Sequence, residues 1–245
     1  MDHSGKDHPL QHFYRDIHRK YDLVNRVFTF GRDQRWRKKA VEACLKDSPH
    51  KVLDVCTGTG DLVLEIAAQA DSDVQLYGYD FSSEMLRRAR EKAGAAGAEI
   101  DFLQGDVADM PYADDLFDVA GITFGIRNLL YENSNASKHL AQLHRVIRTG
   151  GRLVILESSK PVNRVWRFMN GIYLQFILPY LGGALSGNIR AYRYLARSSR
   201  NYYTAGEMQQ ILEKTGFTVI SSRALFLGSV MLMVAEKQGT INTVQ

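Results

Sequence analysis

The chain has 245 residues, 45% of them hydrophobic, so it can bury one full α/β core but is short for two domains. Its two cysteines exclude a disulfide framework and a cysteine-based metal centre, which favours a reducing compartment. The first residues are polar and lack the apolar run that a secretory signal needs. We therefore expect a cytoplasmic protein with no bound metal.

The net charge of +4 is distributed unevenly along the chain. Residues 1–50 carry 11 basic and 7 acidic side chains, residues 51–160 carry 11 and 17, and residues 161–245 carry 9 and 3. An acidic middle is thus flanked by two basic segments. Basic flanks are typical of proteins that bind nucleic acid and of proteins that contact an anionic membrane surface, and charge alone does not choose between them.

Residues 1–50 are predicted to form a polar tail followed by a helical extension. Apolar side chains recur at roughly helical spacing between residues 11 and 46. Basic residues from Arg32 to Lys39 interrupt this pattern, and we interpret them as a solvated helix face.

From residue 51 onward the pattern changes to strands that alternate with helices. The predicted strands are Lys51–Cys56, Val74–Asp80, Ile100–Gln104, Leu116–Thr123, Leu153–Glu157 and, as a terminal hairpin, Phe217–Ser221 and Leu225–Ala235. The predicted helices cover residues 60–69, 83 to about 93 with Ser82 as N-cap, 134–148 and 204–215. This alternation predicts an α/β fold with a doubly wound, seven-stranded, mostly parallel sheet.

Residues 162–203 interrupt the alternation and are predicted to form a helical cap. The segment holds six arginines and no acid, and residues 168–189 are 22 consecutive uncharged residues. That length is sufficient for a membrane-spanning helix. Pro179 and the pair Gly182-Gly183, however, are unfavourable in a helix that faces lipid. A cap over the substrate or an interfacial helix fits better. The predicted segments are an extension (1–50), a binding core (51–161), the cap (162–203) and the rest of the core (204–245).

The stretch from Asp54 to Asp61 predicts a ligand site. A buried strand enters it, glycines at 58 and 60 form a tight turn, and a helix leaves it, so a ligand can lie against bare backbone near free N–H groups. A dinucleotide-binding loop would have a third glycine where Val63 stands. This difference weakens the prediction of a nicotinamide cofactor.

Carboxylates follow three successive predicted strands. Asp54 precedes the glycine turn, Asp80 comes 22 residues after Gly58, where an acid can bind a ribose diol, and Asp106 stands where it can accept from an adenine amino group. Each acid alone fits a loop residue or a helix cap. Together they favour a nucleoside site.

Several stretches resemble known methyltransferases. Four stretches resemble the motifs of class I S-adenosylmethionine-dependent methyltransferases: Asp54 to Asp61, Gly78 to Ser82, Gly105 to Val107 and Leu116 to Asp118. Four more resemble, more specifically, the quinone C-methyltransferases of menaquinone and ubiquinone biosynthesis: Tyr21 to Asn25, Thr123 to Asn128, Leu156 to Pro161 and Ala191 to Leu195. The resemblance runs from about residue 11 to 236, and Phe124 to Asn128 is its most specific part.

The resemblance implies S-adenosylmethionine as methyl donor and a polyprenyl quinol as substrate. Residues of the family that contact the donor match Thr59, Asp80, Asp106, Val107 and Thr123. We add the neighbouring positions of the loop and of the second strand, namely Asp54, Gly58, Gly60 and Phe81. The chain departs from the common pattern at Cys56, where the broad superfamily has a glycine, and at Ser158, where the family usually has Phe.

Arg127 is the first candidate for catalysis. The family's sheet order places the strand before it beside the first strand, at the switch point where ligands bind. Arginine stays protonated, so Arg127 would stabilise a quinolate or hold a water that takes the proton. Asn128 and Tyr21 are further candidates, through hydrogen bonds to the quinol oxygens.

Each of these assignments has a structural alternative. The alternative for Arg127, which we favour less than catalysis, is a salt bridge with a nearby Asp, and the alternative for Tyr21 is core packing. His139 and His144, five residues apart on one predicted helix, are interpreted as surface or capping residues rather than ligands.

Demethylmenaquinol is the substrate that we favour, with methylation of a polyprenyl benzoquinol or of another small molecule as alternatives. Methylation of RNA is disfavoured by the apolar cap. A nicotinamide-dependent oxidoreductase and a catalytically silent assembly subunit are the remaining alternatives. We also expect peripheral contact with the inner face of the membrane, no nucleic-acid partner and a homodimer.

Overall fold

The computed structural model describes residue 29 and residues 31–186 and 189–239. These residues form seven strands in one sheet: β1 (Lys51–Val55), β2 (Gln75–Asp80), β3 (Asp101–Gln104), β4 (Phe117–Thr123), β5 (Ile147–Ser158), β6 (Phe217–Leu225) and β7 (Val230–Lys237). Their order across the sheet is β3-β2-β1-β4-β5-β7-β6. Strand β7 runs antiparallel to both of its neighbours, β5 and β6, and the other described pairs of strands are parallel. The predicted doubly wound, mostly parallel sheet is therefore confirmed.

Helices cover both faces of the sheet. They are α1 (Arg32–Leu45), α2 (Asp61–Ala67), α3 (Ser83–Ala96), α4 (Ile126–Leu130), α5 (Ala136–Val146), α6 (Arg164–Ile172), α7 (Leu178–Ser186), α8 (Ile189–Asn201) and α9 (Ala205–Glu213). One apolar cluster packs α5 and α9 against the sheet, and a second packs α1, α2 and α3 against the other face. Side chains of a strand alternate between the two faces, so Val52 belongs to the second cluster and Leu53 to the first.

The strand order places β1 beside β4, as the resemblance implied. Asp54 lies opposite Gly121 in the parallel register of these two strands. The chain leaves β1 towards β2 and leaves β4 towards β5, so the loops after β1 and β4 diverge and leave a crevice between them. This crevice is the point where a doubly wound sheet binds its ligand.

Two predicted boundaries were wrong. The helix predicted to reach residue 148 ends at Val146, and β5 begins directly after it at Ile147. The register of β4 with β5 shifts before Arg152. A Cβ on Gly151 would lie 2.8 Å from the Arg148 carbonyl oxygen, so the turn-like residues before Arg152 are a bulge inside the strand. The predicted hairpin of the last two strands is confirmed, with β6 continuing to Leu225.

Between β5 and α9 the chain is helical. A π-helical turn, Tyr173–Ile177, joins α6 to α7, and α8 follows. Helix α6 buries none of its side chains, and Trp166 anchors it to the sheet by donating from its indole nitrogen to Ser229 Oγ over 2.8 Å. None of the described helices is long and apolar enough to cross a membrane. Tyr21 and most of the predicted extension lie outside the described residues.

Candidate active site

The glycine loop after β1 presents bare backbone to the crevice. Cys56, Gly58 and Gly60 all have left-handed backbone conformations, with φ of 56°, 55° and 83°. A Cβ added to Gly58 would meet no atom of the described residues within 4 Å, so a ligand can approach the chain there. At Gly60 an added Cβ would lie 3.2 Å from the Ala89 side chain, so this glycine instead lets α3 pack closely against the loop.

Asp54 lies beneath the loop and holds it in shape. Its Oδ2 accepts a hydrogen bond from Thr57 Oγ1 over 2.6 Å and one from the Val63 backbone N–H over 3.3 Å. Burial raises the pKa of this carboxyl to about 7, although both hydrogen bonds act in the opposite direction. Its Oδ1 is buried and has no partner among the described residues, so it can still accept from a ligand or a water.

Asp80 ends β2 and joins the loop to the next helix. Its Oδ2 accepts from the Gly58 N–H and its Oδ1 from the Ser82 N–H, each over 2.9 Å. Ser82 then caps α3 by accepting from the Met85 N–H, as predicted. Burial raises the pKa of Asp80 to about 6, with these backbone hydrogen bonds acting against the shift. The Phe81 backbone N–H also donates to this carboxylate, which leaves it capacity for a further donor.

Thr59 and Phe81 complete the rim of the loop. The Thr59 side chain is buried and accepts a hydrogen bond from Lys92 Nζ over 3.1 Å, so it faces α3. Phe81 is half-buried, and its carbonyl oxygen accepts from Gln104 Nε2 over 3.0 Å. The predicted residues of the loop and of β2 therefore lie together at one edge of the sheet.

Asp106 marks the far end of this edge, after β3. It caps a short 3₁₀ turn, Val107–Asp109, by accepting from the Ala108 N–H over 2.9 Å, and its side chain is 65% exposed. Val107 is buried beside it. An exposed carboxylate next to an apolar side chain suits the amino edge and the face of a purine ring.

His139 was predicted as a surface or capping residue; it is buried, so the surface position was wrong, and its contact with a carbonyl of the last turn of α4 fits the capping alternative. Its Nδ1 lies 2.8 Å from the Leu129 carbonyl oxygen, and its Nε2 lies 3.4 Å from Asp106 Oδ1. His144 packs its ring against Phe217 at a centroid distance of 5.1 Å and is half-buried. His139 and Leu143, four residues apart on α5, share its buried face, and that spacing was a usable signal.

The loop after β4 touches the glycine loop. Thr123 ends β4, and Phe124 after it has a left-handed backbone with φ of 55°. A Cβ added to Gly125 would lie 2.5 Å from Cys56 Cβ, closer than two such atoms can approach. Burial raises the pKa of the Cys56 thiol, so this side chain stays neutral in the contact. The two loops of the crevice therefore fix each other's position.

Arg127 lies on α4, directly behind this contact. Its side chain is buried, its Nη1 donates to Ser199 Oγ on α8, and its Nε has no partner among the described residues. In the described part of the chain it forms no ion pair within 4 Å, so the alternative of a salt bridge with an Asp is not observed there. A buried guanidinium with an unused donor still lacks one hydrogen-bond acceptor, which a bound ligand or a water can supply.

Glu157 was predicted only as part of a motif, and the structure gives it a distinct place. It is fully buried at the end of β5, where its Oε2 accepts from the Arg127 backbone N–H over 3.3 Å. Its Oε1 accepts from the Ser158 backbone and hydroxyl, each over 2.7 Å. The first backbone N–H groups of α4 have no acceptor within the helix, and a carboxylate at this end accepts from them and balances their partial positive charge. It also orients the helix that carries Arg127.

Two more polar groups border Arg127. Burial raises the pKa of Tyr202, Glu157 raises it further and Arg127 lowers it, and the buried Tyr202 hydroxyl has no partner within the described residues. Asn128 follows Arg127 on α4, and its carbonyl oxygen accepts from Asn133 Nδ2 over 3.0 Å. A potential substrate site therefore holds one buried cation, one buried carboxylate and one buried phenol.

The sequence matches the ubiE/COQ5 methyltransferase family over residues 2–237. The chain belongs to this family. A demethylmenaquinone methyltransferase of Thermus thermophilus is 40% identical over 206 residues, which cover 84% of this chain and 91% of that protein. A demethylmenaquinone methyltransferase of Deinococcus radiodurans is 38% identical over 97% and 96% of the two chains, and the ubiquinone/menaquinone biosynthesis C-methyltransferase UbiE of Geotalea daltonii is 36% identical over 96% and 98%.

Solved structures agree on the fold of this ubiE/COQ5 family member. An S-adenosylmethionine-dependent methyltransferase of Aquifex aeolicus matches with a TM-score of 0.58 and 21% identity, over 82% of this chain and 88% of that one. The [4+2]-cyclase SpnF matches with a TM-score of 0.63 and 18% identity, over 83% and 80%. Because a cyclase has the same fold, the chemistry has to be argued from the site and the family.

The contact between Gly125 and Cys56 makes a testable prediction. We expect Gly125→Ala to lower the free energy of unfolding by about 1–3 kcal/mol, because its methyl group would overlap Cys56 Cβ. Urea unfolding followed by circular dichroism measures the change.

The matched control is the double variant Cys56→Gly with Gly125→Ala. Glycine suits the left-handed backbone at position 56 and removes the overlapping atom, so the double variant should regain most of the loss. Equal losses in the single and the double variant would show that the two loops are not in contact.

Proposed function

We propose that this protein transfers the methyl group of S-adenosylmethionine to a ring carbon of a polyprenyl quinol, with demethylmenaquinol as its main substrate. The observation that carries the proposal is the buried Arg127 with its unused Nε, on the helix that follows the loop in contact with Cys56, together with the open backbone of Gly58. The names of its relatives from Thermus and Deinococcus support the naphthoquinol ring. Methylation of a polyprenyl benzoquinol is the second candidate, supported by the name of the Geotalea relative.

The residues along the crevice fit the methyl donor. Asp80 would accept from the ribose hydroxyls with its remaining lone pairs, and the exposed Asp106 from the adenine amino group beside the apolar Val107. The open backbone at Gly58 would face the methionyl part, where Oδ1 of Asp54 lacks a partner among the described residues. Thr123 would lie between donor and substrate, because it ends the strand next to β1.

The chain's own contribution to the reaction is to prepare the quinol and to align it. S-adenosylmethionine supplies an electrophilic methyl group bound to a sulfonium. A phenol has a pKa of about 10, so the quinol hydroxyl needs a favourable environment to lose its proton near neutral pH. Arg127 cannot take this proton, but its positive charge, buried in a low-dielectric site, stabilises the quinolate oxygen.

The proton and charge balance follows from this assignment. The quinol oxygen would lose a proton, and the ring carbon would form its bond to the methyl group as the sulfur–methyl bond of the donor breaks and S-adenosylhomocysteine leaves. The hydrogen on that carbon would then leave as a proton as the ring regains aromaticity, and the oxygen would be reprotonated. One proton is released for each methyl group transferred. Glu157 acts through Arg127 by orienting α4, since its carboxylate accepts the Arg127 backbone N–H. Asn128 and Tyr21 remain candidate partners of the quinol oxygens.

We further propose that the cap contacts the membrane, where a polyprenyl quinol is dissolved. Nine of the twelve large hydrophobic side chains that are exposed among the described residues lie between 162 and 181. They recur three or four residues apart along α6, the π-helical turn and α7, so they form one stripe, which includes Val165, Phe168, Ile172, Phe176 and Tyr180. The arginines of the cap are suited to anionic lipid beside this stripe. A homodimer stays a prediction.

Methyl transfer provides the first test. Purified protein, labelled S-adenosylmethionine and a short-chain demethylmenaquinol under reducing conditions should give a labelled naphthoquinone product, which chromatography detects. A matched benzoquinol, assayed in parallel, should react more slowly. No labelled quinone of either class from a folded, donor-binding protein would refute the proposal.

Replacement of Arg127 separates the substrate side from the donor side. Arg127→Ala should lower kcat by about 10²–10³-fold, because a buried charge that stabilises the quinolate is lost. It should leave the affinity for S-adenosylmethionine unchanged, as calorimetry measures, whereas Asp80→Ala should abolish this binding. Equal losses of donor binding in the two variants would show that Arg127 contacts the methyl donor and not the quinol.

The raised pKa values of Asp54 and Asp80 predict opposite effects of pH on binding and on stability. Both carboxylates must be ionised to attract a cationic donor, and with pKa values of about 7 and about 6 both gain charge over this range. The affinity for S-adenosylmethionine should therefore rise on the order of 10²–10³-fold from pH 5 to pH 7. The folded protein without donor binds these two protons more tightly than the unfolded chain does. The contribution of Asp54 and Asp80 to the free energy of unfolding should therefore fall as the pH rises from 5 to 7. Calorimetry and urea unfolding measure the two trends.

Asp80→Asn is the control for this effect, since it cannot titrate. Its donor affinity should be lower and should depend less on pH. An affinity of the unmodified protein that is constant or falls between pH 5 and pH 7 would contradict the assignment of these carboxylates.

Membrane contact is tested by co-sedimentation with vesicles. Binding should increase with the fraction of phosphatidylglycerol, decrease with salt and weaken in Phe168→Ser and Phe176→Ser. Ile220→Ser, which changes an exposed apolar side chain outside the stripe, should bind as the unmodified protein does. Binding that does not depend on the fraction of anionic lipid, or an equal loss of binding in all three variants, would contradict the assignment of the stripe as the membrane contact.

A further inference from the structure

A cavity of about 420 Å³ lies between α8 and the segment formed by the π-helical turn and α7. Arginines at 193, 197 and 200 line one side of it, together with Gln175, while Leu174 and Pro179 provide apolar walls. The arginines are spaced by four and three residues on α8, so they project from one face of this helix. The cavity therefore combines concentrated positive charge with apolar surface.

Little negative charge balances this cavity. Nη2 of Arg197 lies 3.4 Å from Glu132 Oε1, and both side chains are exposed, so the pair contributes weakly. Nη1 of Arg200 donates to the neutral Gln175 over 2.6 Å. Arg193 has no ion-pair partner in the described part of the chain. Guanidinium groups that share one cavity repel each other, and an anion bound between them would relieve this repulsion.

The cavity is distinct from the candidate active site. Ser199, which accepts from Arg127, is on α8 but does not line the cavity. At 100° per residue, Ser199 points about 100° or more away from each of the three arginines around the helix. Helix α8 thus presents its arginines to the outside and its serine to the crevice.

The surroundings of the cavity identify the anion. Phe176, Ile177 and Tyr180 belong to the same segment as Gln175 and Pro179, and all three are exposed. An inorganic phosphate would gain nothing from this apolar border, and RNA would require stacking partners along a basic groove. A membrane phospholipid has both parts, a phosphate for the arginines and acyl chains for the stripe. Arginine forms bidentate hydrogen bonds with phosphate oxygens.

We propose that this cavity binds the headgroup phosphate of an anionic phospholipid while the apolar stripe enters the bilayer. The proposal rests on the membrane contact proposed above and adds a saturable site to it. It orients the protein on the membrane with α8 towards the lipid headgroups and the crevice on the inner side of that helix.

The test uses full-length protein and dihexanoyl phosphatidylglycerol below its micelle concentration. Calorimetry should show saturable one-site binding, and Arg193→Gln combined with Arg197→Gln should weaken it at least tenfold. Arg190→Gln combined with Arg164→Gln is the matched control, because it removes the same charge from the cap outside the cavity. The control should bind with unchanged affinity, and urea unfolding should show that both variants are folded.

Two further outcomes of the binding experiment would overturn the proposal. Equal losses in the two double variants would show diffuse attraction to the basic cap. Inorganic phosphate, or a single-stranded RNA oligonucleotide, that binds as tightly as the lipid would assign the cavity to that ligand. Methyl transfer to a short-chain quinol without membranes should be unchanged in the cavity variant. If the unmodified protein itself showed no methyl transfer in this assay, the proposed reaction would be refuted and the lipid site would not.

Discussion

The close approach of Gly125 to Cys56 is the constraint on which the crevice depends. Two loops that leave neighbouring parallel strands in opposite directions have no hydrogen-bonded ladder between them, so only side-chain contact determines their separation. Here one partner must be glycine, because any Cβ at position 125 would overlap Cys56. Cys56 itself has a left-handed backbone, which costs about 1–2 kcal/mol in a residue with a side chain. The strained cysteine and the bare glycine together set the distance between donor loop and substrate helix.

Several ionisable groups around this contact are buried, and their hydrogen-bond partners are backbone N–H groups or hydroxyls instead of opposite charges. Asp80 accepts hydrogen bonds from the backbone N–H groups of Gly58 and Ser82. Glu157 accepts them from those of Arg127 and Ser158. Backbone donors hold a carboxylate in place without neutralising it. The site therefore keeps its charge available for a cationic donor and an anionic quinolate, at some cost to the stability of the free protein.

Sequence reasoning succeeded where local order along the chain determines position in space. Alternating strands and helices implied the sheet, and carboxyl ends of parallel strands meet at one edge, so Asp54, Asp80 and Asp106 were placed together correctly. It failed where a contact between distant segments decides. The spacing of His139 from Leu143 signalled its burial, but its contacts with the Leu129 carbonyl and with Asp106 depend on other segments, as the bulge before Arg152 depends on the register with β4. The pairing of Arg127 with Ser199 joins residues 72 positions apart, which no local pattern reveals.

Helix α8 connects the inside of the molecule to its outside. Its inner side buries Tyr192 and supplies the hydroxyl that accepts from Arg127, and its outer side carries the arginines of the cavity. The hydrogen bond from the Arg127 guanidinium to Ser199 thus joins the substrate side of the crevice to the helix that carries the arginines of the cavity. In the orientation that we propose, the outer side of α8 faces the lipid headgroups while its inner side contributes to the position of Arg127, so one helix borders both the membrane and the crevice.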